Sequence, residues 1–272
     1  MSYTDAYKEY IRVARKGTQF GSCVKTMAWL EPYLAFLYKT WWRVQLKGMD
    51  RIPAEGPALI VGNSSGTMPW PGIMLAYALM AREHNPRRLN ICCEMGWIED
   101  ERLHHLGREL GFVPWSADNV KELFARGELV AVFPEGIDGA VKPFAERYRL
   151  SRFDWTRILP AIEAGVPTIP LATLGCDESF PVLANLQDLA KWLDLPAFPV
   201  TPFMPWLPFP LNMLGSLPVA WKMSVLRAHE EITANETREQ MHAAAVPLTD
   251  ELEGEVQAEL NRLLRQRVKA IF

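Results

Sequence analysis

Two short segments carry the side chains best suited to chemistry. The apolar run Leu129–Phe133 ends in Pro134, Glu135 and Gly136, and Lys142 and Arg147 follow closely. A carboxylate at such a point can accept a hydrogen bond from a substrate hydroxyl, while Lys and Arg suit a phosphate or a carboxylate. The apolar run Ala58–Gly62 ends in Asn63, Ser64, Ser65, Gly66 and Thr67, a polar loop that opens onto the helix-like run 73–80. The default reading of that loop is a helix N-cap by Ser or Thr; the sharper one is an anion site built from backbone N–H groups. No base stands near its hydroxyls, because the first histidine of the chain is His84 and no Asp or Glu occurs between Glu55 and Glu83. A serine without an adjacent base is a poor nucleophile and cannot itself act as a base near pH 7. Glu94, directly after the apolar run Leu89–Cys93, is the third candidate.

These residues meet only if the strands that end in them lie side by side. Short apolar runs alternate with helical patterns, which predicts an α/β fold with a mainly parallel central sheet flanked by helices; ligands gather at the C-terminal ends of such strands. Strands are expected at Ala58–Gly62, Leu89–Cys93, Leu129–Phe133, Thr168–Thr173 and Lys222–Leu226. Helices are expected at 5–16, 20–45 with a break near Pro32, 72–83, 99–110, 117–126, 155–165, 184–193 and 250–269. In the last, Leu252, Val256, Leu260, Leu263, Leu264 and Val268 share one face, Asp250 and Glu253 have capping-box spacing, and Arg262, Arg265, Arg267 and Lys269 form a solvated face. His104 and His105 sit on the helical pattern 100–110, where neighbours diverge by about 100°, so at most one could face a cleft. Between Leu195 and Pro218, prolines 196, 199, 202, 205 and 208 recur at every third position among aromatics, as in an extended strap over the domain or along an apolar groove. The organisation expected is an N-terminal amphipathic helical segment, 1–45, followed by an α/β domain, 46–272, that includes the C-terminal helix.

Composition narrows the partners. With 272 residues, 49% of them hydrophobic, the chain can bury a core. A net charge of −3 gives no overall basic field, so nucleic acid is not an expected partner. Cys23, Cys92, Cys93 and Cys176 have no metal-ligand spacing and read as reduced core residues of a cytoplasmic protein, with Cys92 and Cys93 on opposite faces of a strand. The first residues show no basic-then-apolar signal pattern. The run Met27–Tyr38, interrupted by Glu31 and Pro32, is shorter than the roughly twenty residues of a spanning helix. Lys39, Trp41, Trp42, Arg43 and Lys47 follow it, a mixture that suits peripheral contact at the inner face of a membrane or packing through the tryptophans.

The block Phe133–Gly136 with Lys142, Pro143, Phe144, Arg147 and Tyr148 resembles the third conserved block of the phospholipid and glycerol acyltransferase family, often called PlsC-like. Ala164–Ala172 resembles the fourth, an apolar turn and strand associated with the acyl site. Leu110–Trp115 occupies the place of the second, where many members carry a phosphate-contacting Arg and this chain has Trp115. The loop Val61–Gly72 is similar to the first, in which the Asn is followed by a His, with an Asp five or seven residues later. Here those positions are Ser64 and Pro69 or Pro71. In the family the His takes the proton from an acceptor hydroxyl as it attacks an acyl thioester, and the Asp fixes the His tautomer. The resemblance covers roughly residues 40 to 230 and implies a glycerolipid acyltransferase-like fold.

It further implies a degenerate active site with no intact catalytic pair. The expected function is binding of a lipid, of an acyl-CoA or acyl carrier protein thioester, or of another hydrophobic ligand, without ordinary acyl transfer. Ser64, Ser65, Glu94, Glu135, Gly136, Lys142 and Arg147 are the expected binding residues, and no cofactor or metal is required. The alternative is a working enzyme on a lipid-like substrate, a glycerolipid acyltransferase or one of altered chemistry, that uses Glu94, Glu135, a His or a recruited metal, although no HxxxH or HxxE spacing occurs.

Overall fold

All five runs expected as strands pair with one another, as β2 (Ala58–Gly62), β3 (Leu89–Cys93), β5 (Leu129–Val132), β6 (Thr168–Leu174) and β9 (Lys222–Val225). In this computed structural model the described residues are 5, 24–66, 68–82, 84–94, 107–195, 197–204, 206, 215–230 and 238–269. Two further strands, β1 (Gln45–Lys47) and β4 (Phe112–Pro114), complete a seven-stranded sheet of order β1-β9-β6-β2-β5-β3-β4. Strands β2 to β6 run parallel, β9 pairs antiparallel with β6, and β1 follows β9 in parallel. A separate antiparallel pair joins β7 (Ala184–Asn185) to β8 (Pro199–Val200). Strands β2, β5 and β6 are buried along their whole length, which explains why they are written as continuous apolar runs rather than as alternating ones.

The described helices are α1 (Val24–Phe36), α2 (Trp70–Met80), α3 (Ala117–Ala125), α4 (Gly136–Ala140), α5 (Leu159–Glu163), α6 (Cys176–Ser179), α7 (Gln187–Trp192) and α8 (Arg238–Lys269). Helices α1 and α2 cover one face of the sheet, against Ala58, Ile60, Leu89, Ile91, Leu129 and Ala131. Helices α3, α5 and α8 cover the other, against Leu59, Val61, Val130 and Val132. The side-chain alternation of each strand therefore feeds two separate apolar layers.

Three expectations change on contact with the structure. Pro32 lies inside α1, and the irregularity comes later, as a π-helical turn at Leu37–Trp41 closed by the Trp42 N–H on the Leu37 carbonyl at 2.8 Å. Helix α8 begins at Arg238 and passes through Pro247, so Asp250 and Glu253 do not start it. Their carboxylates reach out instead: Asp250 pairs with Arg152 at 3.3 Å, and Glu253 accepts the Phe153 N–H at 2.8 Å. The basic face of α8 is not simply solvated either, since Arg267 pairs with Glu178 of α6 at 2.5 Å. Residues 6–16 of the expected helix 5–16, 99–106 of the expected helix 99–110, and 207–214 of the strap lie outside the described residues.

The segment before the sheet faces both ways. Met27, Leu34 and Leu37 join the core, and Trp42 is fully buried, stacked on Trp221 with ring centroids 4.4 Å apart. Trp29, Tyr33 and Phe36 point outward, Trp29 with 78% of its surface exposed. No described helix is long and apolar enough to cross a membrane.

Candidate active site

The loop after β2 is held by its first side chain. Asn63, buried, donates to the Thr173 carbonyl at 3.0 Å and accepts the Thr173 N–H at 2.8 Å, so its amide completes the edge of β6 as a backbone unit would. Gly66 has φ +73, and a Cβ there would lie 3.0 Å from the Phe180 ring, which reserves the position for glycine. Trp70 stacks on the same Phe180 ring at 5.8 Å and meets Trp42 edge-on, forming an aromatic wall behind the loop. Helix α2 has Pro69 at its N-cap with no side-chain cap and Pro71 in its first turn. The expected capping by Ser64 or Ser65 is therefore not made: both lie buried upstream of the helix, while Thr67 is outside the described residues.

Glu135 ties this loop to two others. Its Oε1 accepts the Ser64 N–H at 3.2 Å, and its Oε2 accepts the Ser151 N–H at 2.8 Å and pairs with Lys142 Nζ at 3.5 Å. Lys142 also donates to the Arg149 carbonyl at 2.8 Å and lies 4.0 Å from Asp177, which accepts the Tyr148 N–H at 2.8 Å. A Cβ on Gly139 would come within 2.6 Å of Glu135 Cβ, so the glycine leaves room for the carboxylate to turn inward. Burial pushes the Glu135 carboxyl up to about 6 against the opposing pull of Lys142 and of the Ser151 and Ser64 N–H groups.

A cavity of about 70 Å³ opens at the ends of β2, β3 and β5, lined by Ser64, Gly66, Met68 and Pro69 of the loop after β2 and by Cys92, Cys93, Glu94, Phe133, Gly136 and Arg157 among others. This is where parallel sheets place ligands. Arg157 ends a 3₁₀ turn, Trp155–Arg157, capped by Asp154. Its guanidinium lies 4.5 Å over the Trp115 ring, forms an ion pair with Glu94 and sits 3.5 Å from Asp154. Burial pushes the Cys93 thiol up to about 12, so it stays protonated near neutral pH. Cys92 and Cys93 do face opposite layers of the sheet, as their adjacency on a strand requires.

Of the residues expected from sequence, Ser64, Glu94 and Gly136 line this cavity. Glu135 stands behind the Ser64 loop with both oxygens engaged, Ser65 is buried in the loop, and Lys142 is held in the Glu135 ion pair. Arg147 is exposed over the rings of Phe144 and Tyr148, at 4.5 and 5.6 Å. Arg157 was not among the expected residues; nothing in the sequence links it to Trp115. The described histidines are elsewhere. His84 is exposed beyond α2, His242 lies against Trp155, and His229 bridges to Thr168 at the start of β6. His229, Glu251 and Glu255 bring ligand atoms within 4.8 Å of one another and could hold a cation, but at the end of the sheet away from the cavity. His104 and His105 lie outside the described residues.

Comparison with known proteins agrees with this architecture. A family model described as Acyltransferase matches residues 43–174. Uncharacterized proteins of Mycobacterium tuberculosis and Mycobacterium bovis are each 32% identical over 244 residues, covering 89% of this chain and 68% of the relative. A protein of Mycobacterium leprae is also 32% identical, with 66% of its length covered. Among solved structures, the 1-acyl-sn-glycerophosphate acyltransferase PlsC of Thermotoga maritima superposes with a TM-score of 0.55 at 15% identity, over 87% of this chain and 79% of that one. The chain belongs to the acyltransferase family and has the PlsC-like α/β fold.

Proposed function

We propose that this protein binds an acyl-chain ligand, a lipid or an acyl thioester of CoA or acyl carrier protein, and does not perform ordinary acyl transfer. One observation carries the reading: Ser64 lines the cavity where the family's first block has its base, and the alternative Asp positions are Pro69 and Pro71. Among the described residues lining the cavity, no side chain replaces that base. Arg157 is permanently charged, Cys93 is pushed up to about 12, and Glu94 is committed to Arg157. The remaining wall is apolar, from Met68, Pro69, Val132, Phe133, Ile137 and Ala140. A second cavity, of about 160 Å³, shares Ile137 and mixes the apolar Val141, Ala190, Leu195 and Ala197 with Asp138, Asn185, Gln187 and Lys191.

The outward aromatics Trp29, Tyr33 and Phe36, with Lys39 and Arg43 exposed beside them, support peripheral contact with an anionic membrane from which a lipid could be drawn. A second reading, a working enzyme with altered chemistry, has one observation in its favour: a carboxylate held near 6, Glu135, stands beside the Ser64 loop. Its three hydrogen-bonding partners favour a structural role.

Native mass spectrometry of freshly purified protein, with extraction of whatever co-purifies, tests the proposal. Acyl-lipid adducts, or saturable uptake of oleate or oleoyl-CoA, are expected. Protein that carries nothing and takes up neither probe overturns it.

A further inference from the structure

We infer that the head group taken by this cavity is uncharged and hydroxyl-bearing, and is not a phosphate. The inference rests on the acyl-ligand reading above and concerns which lipids satisfy it. In the second conserved block the cation of many relatives gives way to Trp115, and Arg157 approaches the cavity from a different element, across the face of that ring.

Arg157 is nevertheless already occupied. Its side chain is 14% exposed, its guanidinium rests on the indole, and two carboxylates, Glu94 and Asp154, are paired with it. The cation behind the neighbouring wall, Lys142, is engaged by Glu135, Asp177 and the Arg149 carbonyl. Arg157 and Lys142 are thus matched between them by four carboxylates, Glu94, Asp154, Glu135 and Asp177. A phosphate monoester would bring nearly two further negative charges into a partly buried region where like charges repel strongly. An alcohol meets suitable partners there instead: the Glu94 carboxylate can accept its O–H, and the Ser64 hydroxyl can donate to it or accept from it.

Two probes with the same chain separate the possibilities. Binding of monooleoylglycerol and of oleoyl lysophosphatidic acid to the full chain is measured by titration, each below its aggregation concentration. Monooleoylglycerol should bind roughly tenfold or more tightly than the phosphate-bearing probe. The variant Glu94→Gln, at a side chain 54% exposed and so tolerant of change, leaves Arg157 with Asp154 as its one remaining carboxylate and should narrow that gap by strengthening the binding of lysophosphatidic acid. Equal or tighter binding of lysophosphatidic acid by the unmodified protein overturns the inference and leaves the acyl-ligand reading standing. Binding of neither probe by either protein also overturns this inference, and uptake of oleate or oleoyl-CoA then decides separately whether the acyl-ligand reading stands.

Discussion

Glu135 Oε1 accepts the backbone N–H of Ser64 at 3.2 Å, across 71 residues of sequence. The other oxygen takes the Ser151 N–H and Lys142, so one carboxylate joins the loop after β2, the start of α4 and the segment leading to α5. In this chain the glutamate of the third conserved block therefore acts as a keystone for the cavity wall.

Removing that carboxylate leaves two N–H groups and an ammonium without it. Glu135→Ala should lower unfolding free energy by roughly 3–5 kcal/mol, the scale for breaking one side of a buried ion pair. Urea unfolding checks this. The double replacement Glu135→Leu with Lys142→Met removes the stranded charge and should regain part of the loss, whereas an unrelated mechanism would give additive costs.

The same group carries a pH signature. Burial lifts its carboxyl from the ordinary 4.5 to about 6, so the folded protein keeps a proton that the unfolded chain has already lost. The stabilising contribution of the protonated form is complete below pH 4.5 and disappears as pH rises through 6, about 2 kcal/mol for this one site. Unfolding free energies compared between the parent and Glu135→Gln across that window should differ by this declining component. Parallel profiles would contradict the assignment.

Ile137 lines both cavities, so a larger side chain there should take up space that an acyl chain would fill. Ile137→Trp is expected to weaken retention of an oleoyl probe by roughly tenfold or more, with an overpacking cost of about 1–3 kcal/mol. Displacement of a fluorescent fatty acid measures the first and thermal unfolding the second. Unchanged retention would place the ligand elsewhere.

The outward face of α1 offers a separable test. Replacing Trp29, Tyr33 and Phe36, which are 78%, 49% and 46% exposed, by Ser should leave stability nearly unchanged. Sedimentation with vesicles of anionic phospholipid should fall by roughly tenfold, because both apolar insertion and the adjacent Lys39 and Arg43 are needed for interfacial binding. Equal sedimentation of variant and parent would remove this face from the account.

Much of the frame is legible from sequence because burial on both sides leaves continuous apolar runs. Strands β2, β5 and β6 are readable for that reason, β3 and β9 carry the pattern with polar residues (Asn90; Lys222 and Ser224) among their apolar ones, and β1 and β4, three residues each, bear too little pattern to announce themselves. The start of α8 is not legible in the sequence because Asp250 and Glu253 look like a cap but serve Arg152 and Phe153. The site divides in the same way. Lys142 lies seven residues from Glu135 and their pairing is local, but the placement of Arg157 over Trp115 depends on how two loops pack above the sheet. Sequence named the carboxylates at the strand ends; packing decided that Glu135 would hold the backbone and that Arg157 would face the cavity.

Acceptor-dependent thiol release from oleoyl-CoA tests the central claim most directly, with monooleoylglycerol and oleoyl lysophosphatidic acid offered in turn to purified protein. The account predicts release no faster than in a protein-free blank with either acceptor, from protein that still binds an oleoyl probe. Sustained acceptor-dependent release above that blank would show that this chain transfers acyl groups and would contradict it.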